Sequence, residues 1–170
     1  MRLTDSFVAE LEMEGATTRR VLERVPDVHL TWKPHQKSSS LGQLALHVAT
    51  IPQRLSEFVA GESFDFATAN TGQRLPASSE EILAAFDESQ TAARAYLTSL
   101  AEARVAETWT LMARGKGLLS LPRAVAIRSF LFNHLYHHRG QVLVYLRLLD
   151  VSVPSVYGPT ADENPFAGAM

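Results

Sequence analysis

Apolar residues recur along this chain at the three- and four-residue spacing of helices, in four separate stretches. The first runs from about Asp5 to Val25; Leu3, Phe7, Leu11, Val21 and Val25 mark one face, and Pro26 ends it. Glu14 falls inside that stripe and Glu10 lies at its margin. A connector from Pro26 to Ser39 follows, with Trp32 and Pro34 in it. The second predicted helix covers 40–60. It opens on Ser40-Leu41-Gly42-Gln43, a capping box in which the serine hydroxyl and the glutamine side chain satisfy free amides of the first turn. Leu44, Val48, Ile51, Leu55 and Phe58 form its apolar face, and Pro52 within it predicts a kink.

Residues 61–77 read as a polar linker with Gly72 and Pro76. The linker is long for a bundle connection, so helices two and three need not be antiparallel neighbours. Helix three, 78–101, opens on a second capping box at Ser78 to Glu81 and carries Ile82, Phe86, Ala93, Tyr96, Leu97 and Leu100. Thr108–Leu121, turning at Arg114-Gly115-Lys116-Gly117, fits a short hairpin, and Pro122 opens a fourth helix, 122–149. The tail, 150–170, holds Pro154, Gly158, Pro159 and Pro165 and is predicted to be irregular. Four amphipathic helices with almost no strand pattern predict an all-α, four-helix bundle filling one domain over 1–170.

Composition narrows the function classes. Hydrophobic residues at 46% and charged residues at 20% fit a soluble globular chain. Sixteen Lys and Arg against eighteen Asp and Glu give a formal charge of -2, with the basic residues scattered, which argues against a nucleic-acid footprint. No apolar run is long enough to span a membrane, and the opening Met-Arg-Leu-Thr-Asp-Ser lacks the apolar core of a secretory signal. The chain has no cysteine, which suits a cytoplasmic protein and excludes thiolate ligands and nucleophiles of its own.

Six histidines remain as candidate chemistry. His134 and His138 continue the predicted core stripe of helix four, Ile127, Leu131, Val142, Tyr145 and Leu149, because residues four apart sit only about 40° apart around the axis. A histidine on an apolar face is often a core residue with satisfied ring nitrogens. A pair one turn apart can also converge on one ion, and the pair alone leaves both readings open. His47, on the edge of helix two's apolar stripe, supplies a third inward imidazole; three such ligands match an open metal site. His137 lies nearer the opposite margin, and His29 and His35 read as ordinary connector histidines. Gln141 shares the stripe of His134 and could orient a ligand or a substrate. Arg139 points elsewhere, as a structural ion-pair partner. Glu14 is the other candidate for supporting the ligands, since a carboxylate on an inward face needs a partner such as an imidazole N–H.

Leu44-Ala45-Leu46-His47 and the run His134-Leu135-Tyr136-His137-His138-Arg139-Gly140-Gln141-Val142 resemble the DinB family of DinB/YfiT-like metalloenzymes. So do Tyr145-Leu146-Arg147, the tail from Val153 to Glu163, and Trp32-Lys33-Pro34-His35. The resemblance implies an up-down-down-up bundle and frequently a homodimer. It also implies a three-histidine site for a divalent ion, nickel or zinc first and iron or manganese after them. Carried over by motif, the ligands fall on His47, His134 and His138. The wider superfamily is similar to mycothiol-dependent maleylpyruvate isomerase and bacillithiol S-transferases, which implies a small-molecule substrate and a low-molecular-weight thiol. The expected function is therefore a metal-dependent transferase, isomerase or hydrolase that activates a thiol or water. The alternative is a non-catalytic bundle with a structural or regulatory ion. A ferritin-type di-iron bundle is excluded, because no Glu stands three residues before any of the three histidines.

Overall fold

Local chemistry sets the ends of the long helices. α1 spans Leu3–Leu22 and α2 spans Leu41–Ala60. At the start of α2 the Gln43 N–H donates to Ser40 Oγ at 3.2 Å and the Ser40 N–H donates to Gln43 Oε1 at 3.0 Å, so the predicted box forms in full. Gly42 belongs there because a Cβ would lie 2.9 Å from the Leu30 carbonyl oxygen, where the connector is laid against the helix. A three-residue strand, β1 (Ser63–Asp65), precedes α3 (Ser79–Ser99). At α3 only half of the predicted box forms. The Glu81 N–H donates to Ser78 Oγ at 3.2 Å, while the Glu81 carboxylate accepts from the Ala77 N–H at 2.6 Å. A short α4 (Glu102–Val105) leads into β2 (Thr108–Ala113) and β3 (Lys116–Pro122). The last helical run is α5 (Arg123–Ala126), a π-helical stretch Ile127–Asn133, and α6 (His134–Leu148), without a break between them. The computed structural model describes residues 2–69, 72 and 74–168.

Pro52 lies inside one continuous α2. Its ring removes a backbone donor and crowds the preceding turn. The next amide, Gln53 N–H, donates at 2.9 Å to the hydroxyl of Ser89, a fully buried residue of α3. A neighbouring helix thus satisfies a donor beside the disrupted ladder, and the helix continues.

Side-chain pairings give the helix directions. Gln53 meets Ser89, and the Tyr96 hydroxyl donates to the Val59 carbonyl, so α2 and α3 run parallel. Arg94 pairs with Glu12 and Arg19 with Asp87, so α1 runs against α3. Arg128 meets Glu10 and Arg139 meets Glu14, so the last helix runs with α1. The four long helices therefore run up, down, down, up. Parallel α2 and α3 pack directly on each other, which explains the linker: it must carry the chain back along a 20-residue helix, about 30 Å.

The chain is mostly helical but departs from the expected all-α bundle by a three-stranded sheet in the order β1-β2-β3. The predicted hairpin is its antiparallel half, turning at Arg114 (φ 51°) and Gly115 (φ 74°), as a two-residue left-handed turn requires. β1 pairs parallel with β2, and the Asp65 carboxylate accepts the turn amides of Arg114 at 3.0 Å and Gly115 at 2.7 Å. The partners of β1 lie nearly fifty residues away, so local periodicity had no means of showing it. Trp109 of β2 is buried and its indole N–H donates to the Phe58 carbonyl at 3.1 Å, which seats the sheet at the C-terminal end of α2. Buried Arg123 donates there to the carbonyls of Val59 and Gly61, supplying a cation to a helix C-terminus. The tail is irregular as expected but anchored: Glu163 pairs with Arg20 and Arg24, and Asp162 with Arg147. Among the described residues no helix is long and apolar enough to cross a membrane.

Candidate metal centre

The π-helical stretch sets how the last helix presents its side chains. An uninterrupted α-helix would put His134 and His138 in the core stripe with Ile127, Leu131, Val142, Tyr145 and Leu149. The structure buries Ile127, Leu131 and Val142 of that stripe, but with Leu135, Arg139 and Leu146 in place of the histidines, and Tyr145 and Leu149 are only half-buried. The wider turn of a π-helix delays the helical phase, so residues spaced by four stay on one face. His134, His138, Gln141 and Tyr145 form a flank beside the core stripe, and the two histidines face α2.

His47 comes to meet them from α2. The ligand-capable atoms of His47, His134 and His138 all lie within 4.8 Å of one another. His47 Nε2 and His134 Nε2 stand 3.0 Å apart, and the His138 ring centre is 4.6 Å from that of His47 and 4.5 Å from that of His134. All three rings are half-buried. Burial, and secondarily the neighbouring histidines, push His47 and His134 down to about 4. His138 is also lowered by burial, against a hydrogen bond to Gln141 that favours its charged form. Near neutral pH the rings are therefore uncharged, the state in which imidazole ligates a metal.

Gln141 sets the orientation of one ring. Its Oε1 lies 2.7 Å from His138 Nδ1, and an amide oxygen can only accept, so that nitrogen carries the proton and Nε2 keeps the lone pair. The Gln141 amide nitrogen lies 3.2 Å from Nε2 of His137, an exposed ring that stands outside the three-histidine group. His35 is exposed and its Nδ1 accepts the Lys37 N–H at 3.1 Å; His29 sits in a short 3-10 turn. Neither joins the cluster.

Glu14 is buried as expected, at 4% exposure, but a histidine is not its partner. Its carboxylate takes the Arg139 guanidinium at 2.7 Å and the Tyr157 hydroxyl at 3.0 Å. Arg139 follows His138 by one residue, about 100° further round the helix. It therefore faces α1, where Thr18 also accepts from it at 3.0 Å. The ion-pair role expected for Arg139 is thus the role that claims Glu14.

A cavity of about 450 Å³ adjoins the cluster at His47, lined on α2 by Gln43, Leu46, His47, Thr50 and Arg54 and also by Arg74. His134 and His138 are not among its lining residues, so α2 is the wall that connects cavity and cluster. Thr50 and Arg54 escaped the sequence reading. The signal for them is the spacing 43-47-50-54, a second helical stripe, polar in character, beside the apolar face of α2.

The chain resembles known proteins along most of its length. The model of the DinB superfamily matches residues 10–142, a stretch that includes all three clustered histidines. YrdA of Bacillus subtilis (strain 168) is 23% identical over 160 residues, covering 94% of this chain and 90% of that protein. The crystal structure of a DinB-like protein from Bacillus cereus ATCC 10987 superposes with a TM-score of 0.71 at 20% identity, covering 90% of this chain and 97% of that one. A DinB-like protein of Bacillus subtilis, YjoA, gives a TM-score of 0.68 at 16% identity, covering 89% and 96%. At these identities the likeness to the solved structures is one of fold.

Proposed function

The chain belongs to the DinB superfamily, and on that premise we propose that it is a metal-dependent enzyme whose divalent ion is held by His47, His134 and His138. The observation that carries this reading is the convergence of three neutral imidazoles. Two ring nitrogens 3.0 Å apart cannot both present lone pairs to each other without an electrophile between them. A proton can serve one such pair, whereas a metal ion serves all three rings at once. Nitrogen donors of this kind suit zinc and nickel, with iron and manganese less favoured. Three protein ligands, with no fourth in the group among the described residues, correspond to an open rather than a closed site.

When bound, such an ion supplies the positive charge that makes a water or a thiol nucleophilic near neutral pH. The chain's own residues provide the setting. Partial burial keeps His47 and His134 neutral, and Gln141 holds the His138 proton on Nδ1. The cavity beside His47 is of the size that admits a small-molecule substrate. With no cysteine in the chain, any reacting thiol comes from a low-molecular-weight cosubstrate. Metal analysis of untagged protein, paired with thiol-transfer and hydrolysis assays across candidate thiols and esters, tests the reading. Stoichiometric metal with turnover supports it. Stoichiometric metal without turnover favours a structural or regulatory ion, and protein that takes up no metal overturns it.

A further inference from the structure

Beyond the histidines, the α2 wall of the cavity continues through Thr50 to Arg54, and Arg74 also lines the cavity. Among the described lining residues there are two arginines and no carboxylate. Arg74 is ion-paired with Glu81, and Arg54 too interacts with other groups of the chain. Arg54 stands seven residues beyond His47 on the same helix, about 10 Å along the axis. A molecule seated with one end at the cluster therefore has its other end at a cationic wall carrying the Thr50 hydroxyl and the Arg54 guanidinium.

From this we infer that the cavity selects small molecules with an anionic group, a carboxylate or its equivalent, held by Arg54 at about two helical turns from the metal-binding end. This rests on the metal reading of the three histidines and adds the substrate class to it. A guanidinium suits the role because it stays charged at any working pH and offers paired donors in the geometry of a carboxylate. Thr50 adds a hydroxyl on the same wall, although its proton is partly engaged by the Leu46 and His47 carbonyls at 3.0 and 3.3 Å. That proton is therefore of little use to an anion, and Arg54 carries the recognition.

The test uses cobalt-loaded protein and a matched pair of thiols, 6-mercaptohexanoate and 6-mercaptohexanol, with binding read from the thiolate-to-cobalt absorption band. The native protein should bind the carboxylate about tenfold more tightly than the alcohol, the value of one charge-assisted contact in a partly screened site. Arg54→Gln should bring the two affinities together while leaving cobalt stoichiometry unchanged, and Arg54→Lys should keep part of the preference. Loaded native protein with no preference, or a preference that survives in Arg54→Gln, overturns this inference alone. Protein that takes up no cobalt overturns the metal reading and this inference together.

Discussion

On one flank of the last helix Glu14, Arg139, Tyr157 and Thr18 bind one another, and on the other flank His47, His134 and His138 converge with nothing of opposite charge in their group. Both clusters put polar atoms where water is scarce, yet they meet that cost differently. In the first, a buried carboxylate and a buried guanidinium compensate each other, and Glu10, Arg128 and Tyr136 repeat the arrangement nearby. That cluster is complete within the chain and ties α1, α6 and the tail together. In the second, three chemically alike bases are brought within reach of one atom. Such a cluster is completed only from outside, which is why it reads as a site and the other as a fastening.

The largest expected effect separates the two directly. His134→Ala should abolish stoichiometric metal while leaving the melting temperature of the metal-free protein nearly unchanged; retention of full metal would show that the cluster is not the site. Glu14→Gln should do the reverse. It leaves Arg139 without its counter-charge in a buried place, at a cost of about 3 kcal/mol of stability by chemical denaturation, with metal content unaffected. The pair Glu14→Gln and Arg139→Met should recover part of that loss. Equal destabilisation in single and double variants would mean the charge pairing is not what holds α1 to α6.

Acid should take the clusters apart in sequence. His47 and His134 have folded values depressed to about 4 from 6.5, so the unfolded chain binds more protons across that window. Their contribution to stability is full above about 6.5 and drains away as pH falls toward 4. Glu10, held below the usual carboxylate range by Arg128, keeps its contribution through most of that window, begins to lose it near 4.5 and gives it up fully only in stronger acid. Denaturation of metal-free protein against pH should therefore show the histidine loss first, and His47→Ala should remove part of that early loss. A stability flat from pH 7 to 4 would contradict it.

Smaller effects concern the groups around the histidines. Gln141→Ala should weaken metal affinity by about tenfold, because the His138 proton loses the acceptor that fixes it. His137→Ala should change the affinity little, since its exposed ring stands outside the group. A His137 effect exceeding that of Gln141 would reassign the ligand set.

Helix spans, the box that starts α2 and the hairpin turn at Gly115 depend on residues a few positions apart, so the sequence alone determined them. That His134 and His138 act together was legible for a similar reason: residues four apart share one side of a helix. Spacing does not show what occupies that side. The parallel run of α2 beside α3, the pairing of β1 with β2, and Arg139 as the partner of Glu14 are choices among distant segments that only tertiary packing makes. The phase of the last helix belongs with them. A π-helical stretch from Ile127 to Asn133 carries no plain mark in the residues themselves, yet it moves Leu135 and Arg139 into the core stripe and turns His134 and His138 toward His47. Packing against α1 and α2 sets that rotation, because backbone hydrogen bonds can be made in either register and only the neighbouring surfaces distinguish them.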